Sequence, residues 1–359
     1  MIRERRNIAE ITGYQSGEQS VDPDIIKLNT NENPFPPSPS IANALREFST
    51  QSLRKYPSPN ADCFRDKVAA LHNVKQNNII ATRGGDELLR LIITTFVNPG
   101  EVIGTTSPTY SLYPVLAAIQ DCPLKAIPFS DNWELPTDFA SKLNDAGAKL
   151  TMLVNPHAPS GTLVHQEKVA QLAQDLDGIL LLDEAYVDFV DPGEKYNSVP
   201  LVKEIDSVVI LRTLSKGYSL AGLRLGYGIG PNQLIQPMLS KTKDSYNLDG
   251  LSQFIGCKAI DDRDHAQKNC GLVRQERSKL HVELEKLGCQ VAPSESNFLL
   301  VTVPQNLNAE ELYLALKEKK ILIRFFNQDG LSDKLRITVG TPEENKQLII
   351  ALKKLTLGL

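Results

Sequence analysis

The sequence predicts an α/β protein, with a large unit built on a mostly parallel, buried sheet and a smaller α+β unit after it. Three observations point there. From about residue 62 to residue 230, short apolar runs bounded by turn residues alternate with helix-like stretches, the βαβ signature of strands covered on both faces. After residue 250 the texture changes to a long helical repeat followed by separated strands. The 359 residues suffice for two globular units, and 41% hydrophobic with 23% charged residues is an ordinary folded composition.

Taken in order, the chain opens with an arm that is expected to pack on the smaller unit. Its first residues, MIRERRNIAE, are followed by no apolar signal-peptide core, and nowhere are 18 consecutive residues apolar. Secretion and membrane spanning are therefore not expected, and a cytoplasmic location is. Asn33 to Ser40 reads NPFPPSPS, whose four prolines fix an extended path and cannot continue a helix, so the chain is expected to cross between units there. Strands are expected at Asn78 to Thr82, Val102 to Thr105, Leu150 to Val154, Ile179 to Asp183, Val208 to Arg212 and Leu225 to Ile229. Leu280, Leu284 and Leu287 share one helical face, and the helix is expected to stop at Gly288. Asn297 to Val303 reads as a strand, Asn308 as the N-cap of a helix from Ala309 with Glu311 placed for a capping box, and Leu335 to Val339 as a further strand.

Charge and composition exclude several functions. With 39 basic and 43 acidic residues, net −4, no general attraction to nucleic acid or anionic lipid is built in, and any phosphate must be held locally. The cysteines at 63, 122, 257, 270 and 289 are odd in number and form no CxxC pair, as suits reduced thiols, and no HExxH occurs, so no metal site is expected.

The segment Leu211 to Gly230, LRTLSKGYSLAGLRLGYGIG, carries the most chemistry. Lys216 follows a strand in a small polar turn, where desolvation lowers an amine's pKa toward the neutral nucleophile that a Schiff base needs. Thr213, Ser215 and Arg224 supply two hydroxyls and a guanidinium fork suited to a phosphate dianion. Most lysines are solvated, so Lys216 read alone is a surface lysine beside a structural arginine. Asp183 ends the apolar run ILLLD, 33 residues earlier, at the sheet edge where ligands bind in parallel sheets. It is either a helix cap or a carboxylate facing a cation such as a protonated pyridine. Tyr186 and Asn155 sit at the same edge as hydrogen-bonding groups. In RGGDELL, Gly84 and Gly85 let backbone approach an anion at the start of a helix from Asp86. Tyr110 either stacks on a planar ligand or packs in the core. Gly226, Gly228 and Gly230 form a GxGxG without the helix-opening context of a dinucleotide loop, and it is discounted.

The ordered series LNTNENPFPPSP, KYP, GGDELL, SPTYSLYP, NPHAPSGT, DEAYVDF, RTLSKGYSLAGLRLGY, IRFF and LRITVG resembles the histidinol-phosphate aminotransferase family, from about residue 27 to residue 340. The resemblance implies a fold-type I pyridoxal 5′-phosphate enzyme: a mostly parallel seven-stranded sheet sandwiched by helices in residues 41–250, an arm in 1–40 and an α+β domain in 251–359. It implies that Lys216 forms the Schiff base with the cofactor and shuttles a proton, that Asp183 holds the ring nitrogen protonated, and that Asn155 and Tyr186 bond the ring oxygen. The cofactor phosphate would sit on Gly85, Asp86 and Glu87 and on Thr213, Ser215 and Arg224, with Tyr110 stacked on the ring. Tyr56 would reach the neighbouring subunit's cofactor, implying a homodimer with shared sites. Tyr14, Asn33, Asn155, Arg324 and Arg336 would face the substrate, here L-histidinol phosphate or glutamate/2-oxoglutarate. Two departures from the family pattern are His157-Ala158 with Ser160, and Arg83-Gly84-Gly85.

Arg324 and Arg336 also stand out by themselves, because an arginine in a strand at an apolar boundary is costly unless an anion meets it. An intramolecular ion pair would serve as well. Three functions remain in view: histidinol-phosphate transamination, an aromatic aminotransferase or phosphoamino-acid decarboxylase on the same fold, and a non-catalytic regulator retaining the fold.

Overall fold

The computed structural model describes residues 3–357. Its strands are, in chain order, β1 (Ile26–Lys27), β2 (Ile79–Thr82), β3 (Val102–Ser107), β4 (Leu124–Pro128), β5 (Ala148–Val154), β6 (Ile179–Asp183), β7 (Val208–Thr213) and β8 (Gly226–Ile229). The smaller unit follows with β9 (Gln290–Val291), β10 (Phe298–Thr302), β11 (Ile321–Leu322), β12 (Arg324–Phe325) and β13 (Lys334–Thr338). Seven strands form one sheet in the order β2-β8-β7-β6-β5-β3-β4, in which only β8 runs antiparallel to its neighbours. Strand alternation sends Leu180, Leu182, Val208 and Ile210 into the core on one face and Leu181, Val209 and Leu211 into the core on the other. That is why these strands read as unbroken apolar runs rather than alternating ones.

Every expected strand of the large sheet is present, with ends shifted by at most two residues. The sequence reading omits β4, because LKAIP lies at the sheet edge with only Ile127 buried and so carries no apolar run. Pro39 is also misread as extended linker. It occupies the first turn of the helix Pro39–Glu47, where its missing N–H costs nothing, and Ser38 caps that helix by accepting from the Ser40 N–H. The GxGxG stretch is structural: a Cβ at Gly228 would lie 2.8 Å from Leu88 and one at Gly226 2.9 Å from the Gly84 carbonyl carbon, so these glycines let the helix Gly85–Phe96 lie close on β8.

The smaller unit carries the antiparallel sheet β12-β13-β10-β9. Its long helix, Arg263–Glu285, ends three residues before Gly288, which takes φ +81 in the turn that follows. Asn308 caps the helix Ala309–Glu318 by accepting from Glu310 and Glu311 N–H groups at 2.9 and 3.1 Å, but no return bond from the Glu311 side chain is present among the described residues. The arm touches both units. β1 pairs in parallel with β11, while Arg5 and Asn7 donate to the Ile119 and Ala118 carbonyls of the large unit at 3.0 and 2.8 Å. The helix Gly250–Asp261 buries Ile255, Ala259 and Ile260 in the large-sheet core, so residues just past 250 still pack on the large unit. Among the described residues, no helix is long and apolar enough to cross a membrane.

Candidate active site

The carboxyl ends of β5, β6 and β7 open into a cavity of about 410 Å³, closed on the far side by the arm and by β12 and β13. Because β8 runs antiparallel, Gly226 pairs with both Thr82 and Thr213, which brings the preceding Arg224 to this same edge.

Lys216 lies in the turn after β7. Thr213 Oγ1 accepts from the Ser215 N–H at 3.1 Å, and Asn33 Nδ2 donates to the Lys216 carbonyl at 3.2 Å, which fixes the turn on both sides. The amine Nζ enters the cavity and donates to the Thr30 carbonyl at 3.0 Å. Burial, with Arg336 and Arg224 nearby and Glu32 opposing them, pulls its pKa down to about 8. Asp183, 4% exposed at the end of β6, accepts from the Tyr113 hydroxyl at 2.9 Å and from the Ala185 N–H at 3.1 Å. Burial pushes its pKa up to about 6 despite those two donors, because no cation adjoins it among the described residues. A buried carboxylate so placed fits a cationic ring nitrogen. The Tyr186 hydroxyl accepts from Asn31 Nδ2 at 3.0 Å, and its ring meets Phe298 edge-on at 5.0 Å.

A second corner suits a phosphate. Gly84 takes φ +75, and the helix Gly85–Phe96 begins immediately after it, so its first-turn N–H groups lack intrahelical acceptors. A Cβ at Gly84 would lie 2.7 Å from Arg224 Nη2. Arg224 reaches Asp86 Oδ2 at 3.2 Å, and Thr213 and Ser215 hydroxyls line the same corner. Tyr110 also lines the cavity, with its hydroxyl 3.4 Å from Asp86 Oδ1 and its ring edge-on to Tyr14 at 5.9 Å.

Arg324 and Arg336 stand directly opposite each other across β12 and β13. Their own bonds go to the Gln15 and Asn29 carbonyls at 3.5 and 3.3 Å, and Arg336 Nε is buried with no partner. The ion-pair alternative is absent: among the described residues neither arginine meets a carboxylate. Like charges directly opposite in a strand pair destabilise it, and an anion in the cavity relieves both.

Four expected residues fall outside the cavity lining. Asn155 is fully buried with its amide committed to Val164, accepting from its N–H at 2.8 Å and donating to its carbonyl at 2.9 Å, and to the Tyr196 hydroxyl at 2.9 Å. In this arrangement it braces the turn instead of facing a ligand. The Glu87 carboxylate turns back to the Arg83 N–H and to Asn247 Nδ2, leaving only its backbone for an anion. Asn33 holds the Lys216 turn from behind. Tyr56 is 80% exposed and stacked on Tyr246 at 4.5 Å, away from the cavity of its own chain. The sequence reading does not single out Tyr113, Asn31, Thr30 or Phe326. Tyr113 lies in the first turn of the helix Leu112–Ile119, three residues past Tyr110 in the loop before it, and that spacing is the available signal.

The aminotransferase class I and II family model matches residues 23–352. Histidinol-phosphate aminotransferase 1 of Trichormus variabilis is 41% identical over 352 residues, 98% of either chain, and the histidinol-phosphate aminotransferase of Citrifermentans bemidjiense is 38% identical over the full length of both. The crystal structure of histidinol-phosphate aminotransferase from Sinorhizobium meliloti in complex with pyridoxal-5′-phosphate superposes with a TM-score of 0.89 over 100% of this chain and 98% of that one, at 23% identity, which establishes the fold-type I architecture. With a lysine and a carboxylate at adjoining strand ends and relatives matched from end to end, this chain belongs to the class I and II aminotransferases, in the histidinol-phosphate aminotransferase branch.

Proposed function

We propose that this protein exchanges the amino group of L-histidinol phosphate with 2-oxoglutarate, giving imidazole acetol phosphate and L-glutamate in histidine biosynthesis, with pyridoxal 5′-phosphate as its cofactor. The observation that carries the substrate assignment is the unneutralised pair Arg324 and Arg336 at the cavity wall. Two forked donors accept a phosphate monoester in one half reaction and a dicarboxylate in the other. The names of relatives matched over the whole chain support the same reading.

When bound, the cofactor supplies an aldehyde carbon that takes up the amino group and a protonated ring that withdraws electrons from the substrate. Lys216 Nζ would be its point of attachment between turnovers, and as a free amine it would take the proton from the substrate α-carbon and deliver it to the cofactor's former aldehyde carbon, carrying it the opposite way in the other half reaction. A pKa near 8 leaves an appreciable neutral fraction at neutral pH. Asp183 holds the proton on the ring nitrogen. Gly85, Asp86 and Glu87 offer backbone N–H groups to the phosphate, with Thr213, Ser215 and Arg224 closing round it. Tyr110 covers the ring, Tyr186 bonds the ring oxygen, and Tyr14 closes over the substrate. Asn155 serves the ring oxygen only by giving up a bond to Val164 or Tyr196. Tyr56, exposed and aromatic, reaches the cofactor phosphate of a second copy, so the working unit is a cytoplasmic homodimer with shared sites. The chain divides into an arm over residues 1–40, a large domain over 41–250 and a small α+β domain over 251–359, in which the helix Arg263–Glu285 meets Phe189 of the large domain through Cys270 and Val273 and enters the small domain's own core at Leu280.

Titrating the cofactor-loaded protein with L-histidinol phosphate, tyrosine and phenylalanine, and following the cofactor's absorbance, tests the assignment. Conversion at the lowest concentration by histidinol phosphate is expected. Preference for tyrosine or phenylalanine, or release of carbon dioxide, contradicts it.

A further inference from the structure

Resting on that reading, Phe326 has a part in the reaction that neither the motifs nor the family match assigns. Its ring lies in the cavity wall with the Arg324 guanidinium carbon 5.5 Å and the Arg336 guanidinium carbon 5.3 Å from its centroid. Phe298 lies 5.2 Å from Arg336 as well, so that guanidinium meets two aromatic rings. No carboxylate shares the work among the described residues, and the carbonyl contacts of the two arginines are long, at 3.5 and 3.3 Å.

We infer that Phe326 is a specificity-determining positioning residue, a single aromatic platform that holds Arg324 and Arg336 side by side for a doubly charged anion. Two like charges facing each other across a strand pair drift apart unless something attractive holds both. An aromatic face does this electrostatically without consuming hydrogen-bond donors, since a guanidinium donates in its own plane and stacks through its face. The edges stay free for a phosphate monoester or a dicarboxylate, and the ring contact persists when the anion arrives. The platform therefore lowers the ordering cost of binding and adds nothing to the chemical step. A neutral substrate of the same shape gains nothing from it.

The test is calorimetric titration of inorganic phosphate into cofactor-loaded protein, whose cofactor phosphate corner is already filled, for the parent, Phe326→Leu, Phe326→Tyr and Arg324→Ala. Phe326→Leu is expected to bind phosphate roughly tenfold more weakly. Its KM for histidinol phosphate and for 2-oxoglutarate should rise to a similar degree, with kcat and the cofactor's absorbance unchanged and with the KM for unphosphorylated L-histidinol unmoved. Phe326→Tyr, which keeps the aromatic face, should match the parent. Phe326→Met replaces the leucine variant should the latter fail to fold. Parent-like phosphate binding in the leucine or methionine variant, alongside loss of binding in Arg324→Ala, overturns the platform and leaves the substrate reading standing. Parent-like binding in Arg324→Ala overturns the anion subsite itself.

Discussion

Burial makes Lys216 a candidate nucleophile and Asp183 a candidate ring-nitrogen partner, and each leaves a pH signature. With its pKa drawn to about 8, Lys216 in cofactor-free protein should react with an amine-directed acylating reagent at a rate that rises through pH 8; a midpoint near the ordinary 10.5 would contradict its desolvation. Lys216→Ala should still bind the cofactor noncovalently while transamination falls by roughly 10²- to 10⁴-fold or more, read in a coupled glutamate assay. For Asp183 the sign runs the other way. Its folded pKa, about 6, lies above the ordinary 3.8, so between those values the native state binds more protons than the unfolded one and stability falls as pH rises. Cofactor-free parent should therefore lose stability relative to Asp183→Asn across that window in denaturant titrations at successive pH values. Equal slopes would show that Asp183 is not the group responsible.

At the scale of the element, the site is set by how strands end and helices begin. The helix Gly85–Phe96 starts beside Arg224 because Gly84 takes φ +75 where a Cβ would meet that guanidinium. Gly84→Ala should strain that turn and displace the guanidinium, weakening cofactor binding by about tenfold in equilibrium dialysis while leaving Arg224→Ala little further affected. These strand ends were legible in the sequence because buried parallel strands are apolar throughout: β6 was read to the residue, and with it Asp183. Edge strand β4 was not, since half-exposed LKAIP has no such run. Side-chain commitments were the other blind spot. Nothing in NPHAPSGT signals that Asn155 spends its amide on Val164, nor in SPTYSLYP that Tyr113 donates to Asp183, because these bonds go to partners 9 and 70 residues away.

At the scale of the whole molecule, two cavity walls come from distant stretches of chain: Lys216 and Asp183 from the large sheet, Arg324 and Arg336 from the small one, with the arm joined to the small unit through β1 and β11 and to the large one through Arg5 and Asn7. Of the expected aromatic site residues, Tyr56 alone lies outside the cavity of its own chain, whereas Tyr14, Tyr110 and Tyr186 line it. If it completes a second copy's site, mixed subunits should complement. Lys216→Ala and Tyr56→Ala proteins, each impaired alone, should on co-refolding recover up to about a quarter of parental activity, since half of the mixed dimers' sites hold both native residues. Absence of recovery, with mixed dimers shown by native mass spectrometry, would place Tyr56 outside the partner's site. The resemblance spans both sheets because its motifs lie at the edges these walls share, and assembly marks the sequence only through Tyr56 in KYP.

The most direct measurement of the central claim is borohydride reduction of the cofactor-loaded protein followed by peptide mapping. The account predicts a single pyridoxyl-phosphate label, on Lys216; a label on another lysine, or none, would contradict it.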